Sequence, residues 1–220
     1  MKFNNRIQAS ALQRLLLAGI LLALAASCIG CSNNNTSCEY TTFILEENNP
    51  RLSNEGHALF SFEYPQCFNE VPLSDVWGFE GITDISFTRE GTGRYKNGNF
   101  LRIGVTVHRA GMFGDTDANA TIENVIFDVS TDENIEDLLI LDRSSINIAG
   151  LTAEHIHYSF HNSRFQYAYP YDNRVKLACF VYDGLLWKIE FIYGPEYDEE
   201  RQEEVEAWFD HLVETFEILD

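Results

Sequence analysis

Asp183-Gly184 stands between two runs rich in β-branched and aromatic residues, Leu177 to Tyr182 and Leu185 to Tyr193. A two-residue connection of this type closes a β-hairpin through a type I′ turn, because both central positions require positive φ and Asp-Gly tolerates it. The two runs are therefore antiparallel neighbours, which commits the C-terminal half of the chain to an antiparallel sheet.

Other segments extend that sheet. Ala58 to Tyr64 alternates and stops at Pro65, which cannot donate to a ladder. Asp84 to Arg89 reads as a strand, and so does Phe100 to Arg109, with Leu101, Ile103, Val105 and Val107 on one face. Ser144 to Ala149 and Thr152 to Phe160 are strands broken at Gly150. Between these groups, Thr121 to Val129 and Thr131 to Leu139 carry helical spacing, with Thr131 as a candidate N-cap. Asp198 can cap a last helix reaching Glu214, whose Val205, Trp208, Phe209, Leu212, Val213 and Phe216 form one apolar stripe. Its acidic first half suits the helix dipole. Strands, helices, strands and a final helix, mostly joined by short turns, make an α+β domain: a central antiparallel β-sheet flanked by helices. No internal repeat is visible. Without the first 30 or so residues, a chain of this size buries roughly 70% of its unfolded surface and needs no metal to fold.

The N-terminus carries an address. Lys2, Arg6 and Arg14 precede an apolar run from Leu15 to Ala26, and no acidic residue occurs before Glu39. These 12 residues are short for a membrane span and fit a secretory signal, residues 1–27. The run ends Leu24-Ala25-Ala26-Ser27-Cys28-Ile29-Gly30-Cys31, which resembles the lipobox of bacterial lipoproteins. Cys28 is the better lipidation site, Cys31 the alternative; plain secretion and an uncleaved anchor are the competing readings. All of them place the remaining chain outside the cytoplasm. Residues 28–39, with Asn33-Asn34-Asn35, read as a flexible tether, leaving 40–220 as one domain.

Charge excludes some partners. The chain has 34 acidic and 15 basic residues, a net charge of −19. A nucleic-acid site needs a basic stripe, so no nucleic-acid partner is expected. The expected contacts are a membrane, through the N-terminal lipid, and a membrane protein complex.

Five cysteines occur, at 28, 31, 38, 67 and 179. In an oxidising compartment Cys67 and Cys179 are the pair to test for a disulfide, against the alternative that each is a small buried hydrophobe.

His155, His157 and His161 share one face of a strand at period two, and imidazoles so placed can hold Zn²⁺ or Cu²⁺. With Ile156, Tyr158 and Phe160 as the core side, the histidines are expected on the more exposed face; the alternative is a solvated strand that happens to use His. Asp115-Thr116-Asp117 opens like a Ca²⁺ loop but lacks the sixth-position Gly and twelfth-position Glu, so a loop capping the next helix is expected. Phe165 to Tyr171 concentrates aromatics, either as a recognition surface or as a strand end packed on the core. No Gly-x-Ser-x-Gly, Ser-x-x-Lys or His-Glu-x-x-His motif is present, and Gly91-Thr92-Gly93-Arg94 lacks the third Gly of a dinucleotide loop and the Lys of a phosphate loop. A non-enzyme without a cofactor is therefore expected.

Several short motifs occur together in order. Phe60-Ser61-Phe62-Glu63-Tyr64-Pro65 is similar to the opening strand of the PsbP-like family, the extrinsic proteins of photosystem II and their bacterial relatives. Gly150-Leu151-Thr152-Ala153, the Asp183-Gly184 hairpin, the strand Trp187 to Tyr193 and Thr215-Phe216-Glu217-Ile218 resemble later elements of that family. The resemblance spans Phe60 to Leu219. It implies a central antiparallel sheet flanked by helices, a fold also used by a yeast Ran-binding protein and by lipoproteins of no known activity. It implies binding or assembly, not catalysis, and transfers no site residues. The chain departs from the plant members in its lipobox-like start and its acidity. The functional expectation is an extracytoplasmic, lipid-anchored binding or assembly module. The alternatives are a metal-binding protein using the histidines, a small-ligand carrier, or a hydrolase with an unrecognised site.

Overall fold

The computed structural model describes residues 39–47, 58–71, 83–89, 101–111, 114–163, 171–194 and 199–219. The signal segment with Cys28, Cys31 and Cys38, the Gly91-Thr92-Gly93 turn, the aromatic stretch Phe165 to Pro170 and Asp198 lie outside them.

In chain order the described elements are β1 (Tyr40–Leu45), β2 (Leu59–Pro65), β3 (Phe68–Glu70), β4 (Thr83–Arg89), β5 (Arg102–Arg109), α1 (Ala118–Thr131), β6 (Ile135–Ile148), β7 (Leu151–Asn162), β8 (Tyr171–Tyr182), β9 (Leu185–Tyr193), α2 (Glu199–Thr215) and β10 (Glu217–Leu219). They form a seven-stranded sheet, order β3-β4-β5-β9-β8-β7-β6, and a three-stranded sheet, order β1-β2-β10. Every pairing is antiparallel. The α+β class and the central antiparallel sheet follow directly from the alternating strands and their short turns.

Two hairpins close the large sheet. Asp183 and Gly184 have φ of 49° and 73°, and Tyr182 pairs with Leu185 across the turn. Ala149 and Gly150 repeat the geometry at 51° and 79°, joining β6 to β7. Both residues of each pair are left-handed, as a type I′ turn demands, and glycine fills the second position at no steric cost.

One expected element changes type. Residues 131–139 carry helical spacing, but α1 ends at Thr131 and the chain enters β6 at Ile135. Asp132 caps the helix end in extended conformation, its N–H bonding to the Asp128 carbonyl. Thr131 closes the helix instead of opening one, its hydroxyl donating to the Phe127 carbonyl at 2.8 Å. Irregular pairing between Glu136 and Leu139, with Asp137 at φ 54°, lets a helix-like spacing of Ile135, Leu138 and Leu139 fit a strand.

The large sheet is covered on both faces. On one, Ile156, Tyr158, Val175, Leu177 and Cys179 pack against Ile122 and other apolar residues of α1. On the other lie Trp187, Ile189, Phe191 and Phe180, all buried, with Trp187 edge-on to Phe60 of the small sheet at 5.7 Å and Phe209 of α2 against His155 and Lys176. Here Phe216, leaving α2, stacks on Phe60 with centroids 5.4 Å apart and lies edge-on to Trp187 at 6.1 Å. Phe43 and Phe62 reach across to Phe87 at 5.3 and 5.7 Å.

Candidate functional site

A polar cluster interrupts this second face where α2 crosses β7, β8 and β9. The strand alternation that sends Ile156 and Tyr158 toward α1 sends His155 and His157 toward α2. The same alternation brings Arg174 and Lys176 of β8 and Tyr193 of β9 to that side. The helix supplies Gln202, Glu206 and Asp210, spaced one turn apart.

Tyr193 is the centre. Its side chain is fully buried, and its hydroxyl donates to Glu206 Oε1 at 2.8 Å. The same oxygen lies 2.9 Å from His157 Nε2. A phenol has one proton, so with that proton on Glu206 the imidazole must donate from Nε2, which fixes its tautomer. Glu206 also accepts from Gln202 at 2.9 Å and lies 3.5 Å from Arg174 Nη1. Burial opposes ionisation of Glu206, but the bonds from Tyr193 and Gln202, with His157 and Lys176 nearby, outweigh it and hold the carboxyl below its ordinary range. Burial and the adjacent carboxylate push the Tyr193 phenol far up. His157 is held below the usual imidazole value, chiefly by burial, against the pull of Glu206.

Lys176 is buried along its stem, passes over the Phe209 ring, and donates to Asp210 Oδ1 at 3.0 Å and to the Glu206 carbonyl at 3.2 Å. The apolar stem on the aromatic face and the ammonium at the helix edge are how a lysine occupies such a position. His155 is 8% exposed and lies against Phe209; its Nδ1 is 3.3 Å from Ser144 Oγ and 3.6 Å from Asp142. Burial, then the Lys176 charge, lower its pKa.

The expectation that these histidines lie on an exposed face is corrected for His155 and His157, which α2 covers because the sheet is two-sided here; His161, near the end of β7, stays partly exposed. The metal arrangement of His155, His157 and His161 is also not formed. His155 turns to Ser144, His157 to Tyr193, and His161 bonds Asp172 at 2.6 Å. Among the described residues no group of three His, Cys, Asp or Glu is placed to hold a metal ion. The Cys67–Cys179 pairing is corrected as well. Cys179 is a free thiol packed beneath α1, whereas Cys67, beyond the end of β2, is disulfide-bonded. Burial pushes the Cys179 thiol up to about 12, so it is protonated and unreactive at neutral pH.

A second polar cluster lies at the N-terminal end of α1. Asp117 caps the helix, accepting from Ala120 N at 2.8 Å. Asp115 is buried; it accepts from Asn124 at 2.9 Å and faces His108 Nε2 at 3.4 Å and Lys188 at 3.8 Å. The acidic loop thus caps a helix, and one of its carboxylates anchors that helix to β5 and β9.

No family model matches the sequence, and no curated protein matches it. Solved structures do. The solution structure of cyanobacterial PsbP from Synechocystis sp. PCC 6803 aligns with TM-score 0.49 and 13% identity, over 86% of this chain and 98% of that one. LpqN of Mycobacterium tuberculosis, described as involved in cell envelope biogenesis, aligns with TM-score 0.45 and 12% identity, over 83% and 92% of the two chains. The Saccharomyces cerevisiae Ran-binding protein Mog1p aligns with TM-score 0.49 and 10% identity, over 83% and 97%.

Removing the central hydroxyl tests the cluster. Tyr193→Phe leaves Glu206 and His157 partly buried with one partner fewer each, and about 1–3 kcal/mol of stability is expected to be lost, as for other orphaned buried polar groups. Urea denaturation reads this; an unchanged midpoint would mean that water replaces the hydroxyl at no cost.

Proposed function

We propose that the chain is an extracytoplasmic module, held to a membrane by a lipid on Cys28, that binds or assembles with a partner and turns over no substrate. One observation carries the second half of this reading. The groups with chemistry to offer, His157, Tyr193, Glu206 and Lys176, are engaged with one another beneath α2, and the Cys179 thiol is protonated inside the core. What the domain presents outward is acidic charge and apolar surface. The first half is supported by the apolar run ending at Cys28 and by the disulfide at Cys67, a bond that persists in oxidising compartments. Among the described residues no helix is long and apolar enough to cross a membrane.

Metabolic labelling with a palmitate analogue tests the anchor. Label is expected on the wild type and on Cys31→Ser and lost in Cys28→Ser; unlabelled, unprocessed protein in the cytosol overturns the reading. Crosslinking in intact cells followed by purification tests the role. Stoichiometric recovery within a membrane complex is expected, and turnover of a small substrate by the purified protein would refute it.

A further inference from the structure

The large sheet ends on one side in β3, three residues long, and on the other in β6, fourteen residues long. A short edge protects itself, whereas a long one leaves a row of N–H and C=O groups to be paired. β6 carries Leu138-Leu139-Ile140-Leu141 along its length, and Leu139, Ile140 and Leu141 are 57%, 43% and 40% exposed. Beside it, α1 shows Phe127 at 65% exposure. Asn119, Glu123 and Phe127 share one stripe of that helix, and the first two hold Arg143 of β6, Asn119 Oδ1 accepting from Nη2 and Glu123 pairing with Nη1, both at 2.7 Å. Phe127 therefore lies on the side of α1 that faces β6. Four large apolar side chains flank a strand edge that has no paired neighbour among the described residues, where single scattered ones would need no explanation.

The surroundings say what fits. Residues 118–148 hold seven acidic residues, Glu123, Asp128, Asp132, Glu133, Glu136, Asp137 and Asp142, against Arg143 alone. A second copy would bring the same charge to the same place, and a membrane surface bearing anionic lipid would be repelled. We propose that the β6 edge receives an extended segment of a partner protein in which apolar residues alternate with Lys or Arg. The segment adds an eighth strand to the sheet, its backbone bonding to β6. Its apolar side chains pack on Ile140 and Phe127, on the α1 face, and its basic ones meet Glu136 and Asp142 on the other face, their stems along Leu139. This names the partner class of the binding module proposed above and rests on that reading.

The probe is an end-blocked peptide of about ten residues alternating Val and Lys, enough to line the exposed stretch at roughly 3.3 Å per residue. It is added to the full chain in detergent and followed by fluorescence anisotropy. Saturable binding is expected, weakened several-fold by raising the salt from about 0.05 to 0.5 M. Leu139→Ser/Ile140→Ser and, separately, Phe127→Ser should each weaken it by about tenfold with thermal midpoints unchanged. A central Pro in the peptide, or Glu in place of its Lys, should abolish binding. Undetectable binding, or binding indifferent to these changes, overturns the proposal. So does concentration-dependent dimerisation lost in the double variant, which would make a second copy the occupant, or vesicle binding lost in that variant, which would make it lipid. If the in-cell crosslinked complex survives Leu139→Ser/Ile140→Ser, only the β6 proposal falls; if the wild type forms no complex, the module reading falls with it.

Discussion

Phe216→Ala is expected to remove about 3–5 kcal/mol of stability, the range for deleting a fully buried phenyl ring. Phe216 follows α2 directly, precedes β10, and is 2% exposed. Its ring touches Phe60 and Phe62 of the small sheet at 5.4 and 6.2 Å and Phe180 and Trp187 of the large sheet at 6.3 and 6.1 Å. One side chain thus joins a helix and two sheets, and the hole its loss leaves is walled by other large rings held in ladders, which cannot collapse into it. Offset and edge-to-face pairs of this kind add about 0.5–1.5 kcal/mol beyond area alone. Phe127→Ala, at an exposed site, should stay within about 0.5 kcal/mol. Urea denaturation followed by circular dichroism compares the two. A loss below about 1 kcal/mol for Phe216→Ala would mean that the small sheet and α2 do not share one core with the large sheet.

That core was legible because its pattern is local. The alternation of Leu101, Ile103, Val105 and Val107, the stripe from Val205 to Phe216 and the Asp183-Gly184 turn each write their geometry into adjacent residues, and all of these apolar positions are buried. Residues 131–139 were not legible, because Ile135, Leu138 and Leu139 satisfy a helical period as well as a bulged strand, and the pairing with β7 that decides between them is made by residues 20 or more positions away. β1 alternates too, with Phe43 and Leu45 turned inward and Ile44 outward, but it is short. The polar cluster had no local signal at all. Its hydroxyl, imidazole and carboxylate come from β9, β7 and α2, 36 and 13 residues apart. Period two told which histidines share a face, but not that a helix beginning at Glu199 would cover it. One hint was Lys176, a charge next to Ala178 and Phe180 on a face that turns apolar beyond it, which demands a partner.

The burial of histidines gives the second large effect, a loss of stability on mild acidification. Burial is the leading cause that lowers the pKa of His108, His155 and His157 below the ordinary 6.5. Lowered values mean that the unfolded chain binds protons more readily than the folded one. The stability these groups contribute is therefore complete above pH 6.5 and is lost as pH falls below it, until each folded-state value is passed. Within that window the slope is about 1.4 kcal/mol per pH unit for each proton taken up on unfolding. His155 offers the clearest reason: its Nε2 is buried with no hydrogen-bond partner among the described residues, so a second N–H has nowhere to donate, and Lys176 repels the added charge. Two effects run the other way. Asp142 and Asp210 favour His155 in its charged form, and protonation reduces the self-repulsion of a chain with net charge −19. Denaturation midpoints between pH 7.5 and pH 5 separate these, using His155→Gln as the reference. The variant keeps a neutral polar side chain, so its curve retains the general charge effect and should be flatter than wild type by one proton's slope. Parallel curves would mean that α2 opens to let water reach His155 before the rest of the fold yields.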